Sequence, residues 1–207
     1  MRQLHYIIFA SIFGMLFLGC SLQTTVPASA KYMLKVKAQA KTATSSCYKN
    51  EVIRMAEVES SAMFSGRSIF YSSDDTQSYS YTKARWMESI NKQFATLIMR
   101  SVTQTEIFKD VVPFRSRAKN ELIFETGIYD FSQVIHKDGT STVSLMVKVR
   151  IVEQYSRKII SNKTFTFTKS GLSGNIEGAL NGYNTVVSEL LKAINQWLLE
   201  SCHIHEH

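Results

Sequence analysis

Proline, glycine and histidine are scarce in this sequence, with 2, 9 and 5 residues among 207. So few prolines and glycines exclude a long low-complexity linker. No repeat of solenoid or propeller period is present. Gly-x-Gly-x-x-Gly is absent. Gly171, Gly174 and Gly178 come near it, but no parallel βαβ unit surrounds them, so they read as a loop and a helix N-terminus. There is no Ser/His/Asp motif of hydrolase type and no Gly-x-Lys-Ser/Thr. Asp74-Asp75 reads as a turn, not as an acid/base pair. No enzyme and no cofactor is expected. The formal charge is +7, but the basic residues are scattered and no nucleic-acid-binding motif accompanies them, so they read as a solvated surface.

The first twenty residues say most. Arg2 supplies a positive start, and Tyr6 to Leu16 is an apolar run too short for a comfortable membrane span. It leads into Leu16-Phe17-Leu18-Gly19-Cys20, which resembles the lipobox of bacterial lipoprotein signal peptides. Residues 1–19 are therefore expected to be a signal peptide. The Cys20 thiol accepts a diacylglycerol, and its freed amine accepts a further acyl chain. Several acyl chains anchor stably, because each buried methylene contributes about 0.8 kcal/mol. An uncleaved N-terminal anchor is the alternative. Residues 20–31 read as a short lipidated tether, 32–202 as one α+β periplasmic domain, and 203–207 as a histidine-rich tail.

Cys47 and Cys202 remain, a disulfide candidate in an oxidising compartment, or else two free thiols. In the tail, His203, His205 and His207 have ligand types suited to Zn²⁺, Ni²⁺ or Cu²⁺. No second ligand cluster is visible to complete a closed site, so weak, adventitious binding or none is expected.

Hydrophobic periodicity supplies the elements. Residues 32–36, 51–58 and 68–72 read as short strands. Trp86, Met87, Ile90, Phe94, Leu97 and Ile98 recur at helical spacing, which predicts a helix from Lys83 to Val102 with Thr82 as its N-cap. Glu121 to Ile135 reads as a strand with a bulge at Gly127. Lys137-Asp138-Gly139 marks a hairpin turn, Val143 to Ile151 alternates as a half-buried strand, and Ile159 to Thr168 is a third. Leu180 to Leu198 carries one apolar stripe, a second helix. The expected fold is a two-layer α+β sandwich, a mainly antiparallel sheet with two amphipathic helices on one face.

Cys20 in its lipobox, Tyr32-Met33-Leu34 after a short tether, Tyr81, Arg85-Trp86-Met87-Glu88 and the long hairpin from Leu122 through Phe167 together resemble the auxiliary lipoprotein components of ABC-type transporters. That family includes the lipoprotein of the paraquat-inducible system. The sequence departs from it where Ser60-Ser61-Ala62-Met63-Phe64 stands in place of a proline-rich stretch. The resemblance implies a non-enzymatic accessory role in phospholipid transport, with an MCE-domain protein and an ABC permease and ATPase as partners. It implies partner docking through Arg85, Trp86 and Glu88, and leaves homo-oligomerisation open. An envelope assembly factor, a peptidoglycan-synthase-activating lipoprotein and a lipid-binding lipoprotein are the alternatives. Ser21 after Cys20 resembles the outer-membrane default, with the inner membrane as the other location.

Overall fold

The computed structural model describes residues 29–36, 48–73 and 77–203. In chain order the strands are β1 (Ala30–Tyr32), β2 (Val52–Met55), β3 (Glu59–Ser60), β4 (Ser68–Ser72), β5 (Ser78–Trp86), β6 (Asp110–Val112), β7 (Leu122–Ile135), β8 (Thr140–Glu153) and β9 (Ile159–Ser173). The helices are α1 (Ala62–Ser65), between β3 and β4, α2 (Ile90–Thr103), after β5, and α3 (Ile176–His203), which follows β9.

The long strand β7 organises the sheet. One edge pairs antiparallel with β8, and β8 pairs antiparallel with β9. The other edge is tiled by three short strands laid end to end, all parallel to β7. Ile53 faces Leu122, Glu59 faces Gly127 and Ser72 faces Val134. The chain then doubles back from β4 into β5, β1 adds to β5 in parallel, and β6 adds to β2 in parallel. The sheet is thus mixed and curled, which corrects the expected mainly antiparallel two-layer sandwich. The three short strands are parallel to β7 because the chain travels along one edge in one direction and is then carried back through β5 and α2 before β6 and β7 begin.

Strand alternation fills the core. Leu122, Phe124, Ile128 and Phe131 on β7, with Val143, Leu145, Val147, Val149 and Ile151 on β8, are buried under the helices. Each such side chain contributes about 1.5–3 kcal/mol of burial. From α2 come Ile90, Phe94, Leu97, Ile98 and Val102; from α3 come Tyr183, Val187, Leu190, Leu191, Ile194, Trp197 and Leu198. Ser101 and Asn195 join the helices through a buried pair of hydrogen bonds, 2.9 Å from the Asn195 amide and 3.2 Å from the Ser101 hydroxyl.

Two expected boundaries change. The helix predicted from Lys83 begins at Ile90, and Thr82 lies inside β5 rather than at a cap. Ser78 to Tyr81 alternates serine and tyrosine, and further along β5 Ala84 and Trp86 turn inward. Trp86, Ile90 and Phe94 share helical spacing by coincidence: all three face the core, the first from a strand. The β7 register shifts between Ile128 and Asp130, so the extra residue of the bulge is Tyr129, not Gly127. The Tyr129 ring folds back over Gly127, where a Cβ would stand 3.2 Å from Cε2.

The register also gives the molecule two ends. At one lie the β4–β5 connection, the β7–β8 turn and the β9–α3 junction, where the Gly174 N–H donates to the Gly139 carbonyl (2.9 Å). At the other lie the β6–β7 loop, the β8–β9 turn and the end of α3. There the Gln154 N–H reaches the Glu121 carbonyl (2.8 Å), and Ser161 and Ser201 approach at 3.4 Å.

Candidate functional site

The chain enters the domain at Ala30, opposite Ala84 of β5. Because β1 runs parallel to β5, the preceding residues leave toward the β4–β5 connection. Past Tyr32 the chain crosses the helix layer as a strap. The Leu34 N–H donates to Gln93 Oε1 on α2 (2.8 Å), and the Lys35 N–H donates to Asn184 Oδ1 on α3 (2.8 Å). Gln93 is fixed in turn by its own amide, which donates to the Glu88 carbonyl (2.9 Å). Leu34 and Val36 bury their side chains between the helices. Alternation in Met33-Leu34-Lys35-Val36 suggested a strand; the strap shares that alternation but satisfies its backbone with side-chain amides, a pairing no local signal discloses.

Arg85, Trp86 and Glu88 separate. The Trp86 ring is 2% exposed, 6.2 Å from Phe131 and 5.8 Å from Tyr183, centroid to centroid. Phe131 stacks on Tyr183 at 4.1 Å and meets Phe94 edge-on at 5.5 Å. Trp86 is therefore a core residue and no part of a docking surface, because its flat ring completes this aromatic cluster. Arg85 and Glu88 are exposed beside it. Cys20, Cys47, His205 and His207 lie outside the described residues, as do the side chains of Cys202 and His203. Tyr48 and Ser201, the neighbours of the two candidate disulfide cysteines, are both buried at the same end of the molecule.

A polar network unseen in the sequence ties the opposite end together. The Tyr81 hydroxyl donates to Gln133 Oε1 (2.9 Å), and the fully buried Gln133 amide donates to Ser141 Oγ (2.9 Å) and the Asn175 carbonyl (3.3 Å). Ser141 donates to the Ser173 carbonyl (2.9 Å). Burial and the neighbouring Tyr71 push the Tyr81 phenol up to about 12, against the lowering effect of Gln133. Burial raises Tyr183 as well, helped by Tyr81 and Asp130. The near-miss glycine motif is accounted for here. Asn175 caps α3 by accepting from the Gly178 N–H (2.9 Å), and Gly178 lets the helix touch the Ser173 carbonyl.

Beside α2 lies an apolar groove of about 440 Å³, lined by Met55, Val58, Ala95, Met99 and Phe114, with Lys92 and Arg115 among the residues around it. Asn91 holds its wall, donating to the Val58 carbonyl (2.9 Å) and accepting from Ser60 (2.8 Å). Among the described residues no group of three metal-ligating side chains occurs, and no helix is long and apolar enough to cross a membrane.

Sequence comparison supplies the family of this domain. The model of the ABC-type transport auxiliary lipoprotein component family matches residues 32–195. The chain belongs to that family. This auxiliary lipoprotein has the fold of protein XCC0632 from Xanthomonas campestris, a DUF330 protein, with a TM-score of 0.73 and 9% identity over 84% of this chain and 96% of that one. An uncharacterized protein has a TM-score of 0.60 and 10% identity, over 83% of this chain and 99% of that one. No curated protein matches in sequence. The family is one of auxiliary lipoproteins of ABC-type transport, which gives this chain a membrane-anchored place in the envelope.

Proposed function

We propose that this auxiliary lipoprotein is lipidated at Cys20 and serves an MCE-domain phospholipid transport system with an ABC permease and ATPase. One observation carries the reading: the family match spans almost the whole described domain, which begins ten residues past Cys20. Ten residues extend to about 35 Å at most, so the lipid holds the domain close to its membrane, the outer one by the residue after Cys20. The exposed Arg85 and Glu88, where β5 turns into α2, are partner contacts in this reading. Trp86 serves them from below by fixing the strand end. The test is purification of the lipidated protein from envelopes in mild detergent, with mass spectrometry of what accompanies it. An MCE-domain protein recovered with a permease and ATPase is the expected result. Cell-wall synthases or outer-membrane assembly proteins in their place would replace the proposal with one of those roles.

A further inference from the structure

We propose that the end of the domain formed by the β6–β7 loop and the β8–β9 turn docks an acidic segment of a protein partner, whose apolar side chains enter the groove beside α2. The inference deepens the transport reading and takes from it the lipid anchor at Cys20.

Two loops meet at that end. The β6–β7 loop carries Phe114, Arg115, Arg117 and Lys119, and the β8–β9 turn carries Tyr155, Arg157 and Lys158; all are exposed. Tyr155 is 77% exposed and Phe114 51%. The five cations stand against two flanking carboxylates, and both of those are engaged. Glu121 accepts from the Val52 N–H (2.8 Å), and Glu153 accepts from the Ser156 hydroxyl. Among the described residues none of the five cations is in an ion pair. Exposed arginines beside exposed aromatics are the composition of protein-binding hot spots.

Arg54 donates from Nη2 to the Ala118 carbonyl (2.6 Å), bracing the basic loop from beneath. Arg157 occupies the left-handed region at φ 60°, where glycine would be less strained.

The groove continues this surface, because Phe114 and Arg115 belong to both. Its apolar floor, with Lys92 and Arg115 against the single carboxylate of Glu57, fits a strand or helix bearing carboxylates beside aliphatic or aromatic anchors. The segment that bridges the strap to Tyr48, residues 37–47, is not of that kind: it contains Lys37 and Lys41 and no carboxylate. A second copy would press like charges together on a chain of net charge +7. A flat membrane surface meets the loops but not the concave groove behind them.

The test is site-specific photocrosslinking with benzoylphenylalanine at positions 114 and 155 of the full-length lipidated protein in intact envelopes. The crosslinked segments are then mapped by mass spectrometry. The expected result is one partner protein at both positions, joined through a segment with excess Asp and Glu. Arg157→Gly should lower the yield at both positions at least fivefold while its melting temperature is unchanged or higher, and Arg115→Glu should lower it further. Crosslinks to lipid, to a second copy or to a segment without excess acid would overturn the proposal. So would equal yield in Arg157→Gly, or no crosslink at all. An acidic partner outside any transporter would keep the docking surface and remove the transport reading. Transporter components that co-purify without crosslinking here would do the reverse.

Discussion

Arg85 and Trp86 are sequence neighbours with opposite surroundings, and strand geometry alone separates them. Successive side chains on β5 point to opposite faces, so Ala84 and Trp86 turn inward and Arg85 outward. Trp86→Ala would leave a cavity among Phe131, Phe94 and Tyr183 and should cost about 3–5 kcal/mol in urea denaturation. Near-normal stability with lost partner binding would return the ring to the surface. Tyr183, in the same cluster, makes a different prediction. Burial raises its pKa and Tyr81 is pushed up to about 12, whereas unfolded tyrosines titrate near ~10. The neutral phenols thus stabilise the fold fully below the unfolded value, and that contribution is lost as pH rises above it toward the folded values. Unfolding free energy should fall between pH 10 and 12 (roughly the window set by these values). Tyr183→Phe, which keeps the ring, should fall less steeply; parallel curves for the two proteins would count against a buried neutral phenol.

Elements with local signals were legible from sequence, and elements defined by distant partners were not. The β7–β8 hairpin announced itself through Asp138-Gly139, and Gly139 does sit at φ 81°. The stripe from Leu180 to Leu198 became the buried face of α3. The parallel ladders left no such trace, because Ile53 and Leu122 are joined only by the fold and nothing beside either residue encodes the other. A strand that pairs locally carries its turn with it; one laid along a distant edge does not. The same blindness hid the strap, whose amide partners Gln93 and Asn184 lie in helices far along the chain, and the groove, assembled from three separate segments. The glycines of α3 test how closely the helix sits on the sheet. Alanine is about 1 kcal/mol better than glycine in a helix interior. At Gly178, however, a Cβ would overlap the backbone carbonyl of Ser173, whereas Gly66 has open space around it. Gly178→Ala should therefore lower the melting temperature despite its better propensity, with Gly66→Ala near neutral. A stabilised Gly178→Ala would show that the β9–α3 junction yields easily.

At the scale of the whole molecule, the proposed disulfide and the proposed lipid anchor make separate predictions. The neighbours of Cys47 and Cys202 lie buried at one end, so a disulfide there would close nearly the whole domain into one loop. The chain-entropy treatment gives such a closure roughly 4–5 kcal/mol, less any strain. Cys47→Ser should then melt lower than the parent in the absence of reductant, and dithiothreitol should erase the difference; identical melting without reductant would mean two free thiols. In the proposed reading the lipid at Cys20 is the one covalent link that holds the domain within about 35 Å of its membrane. Cys20→Ala removes that link without touching any described residue. Folding, judged by melting temperature of the released domain, should be unchanged, while fractionation should find the protein no longer retained by lipid on its membrane. Crosslinking from positions 114 and 155 should then weaken, because a freely diffusing domain loses the effective concentration that tethering supplies. Retention of Cys20→Ala at its normal level would remove the lipid from the proposed function, and with it the reason to expect that the domain works beside a membrane.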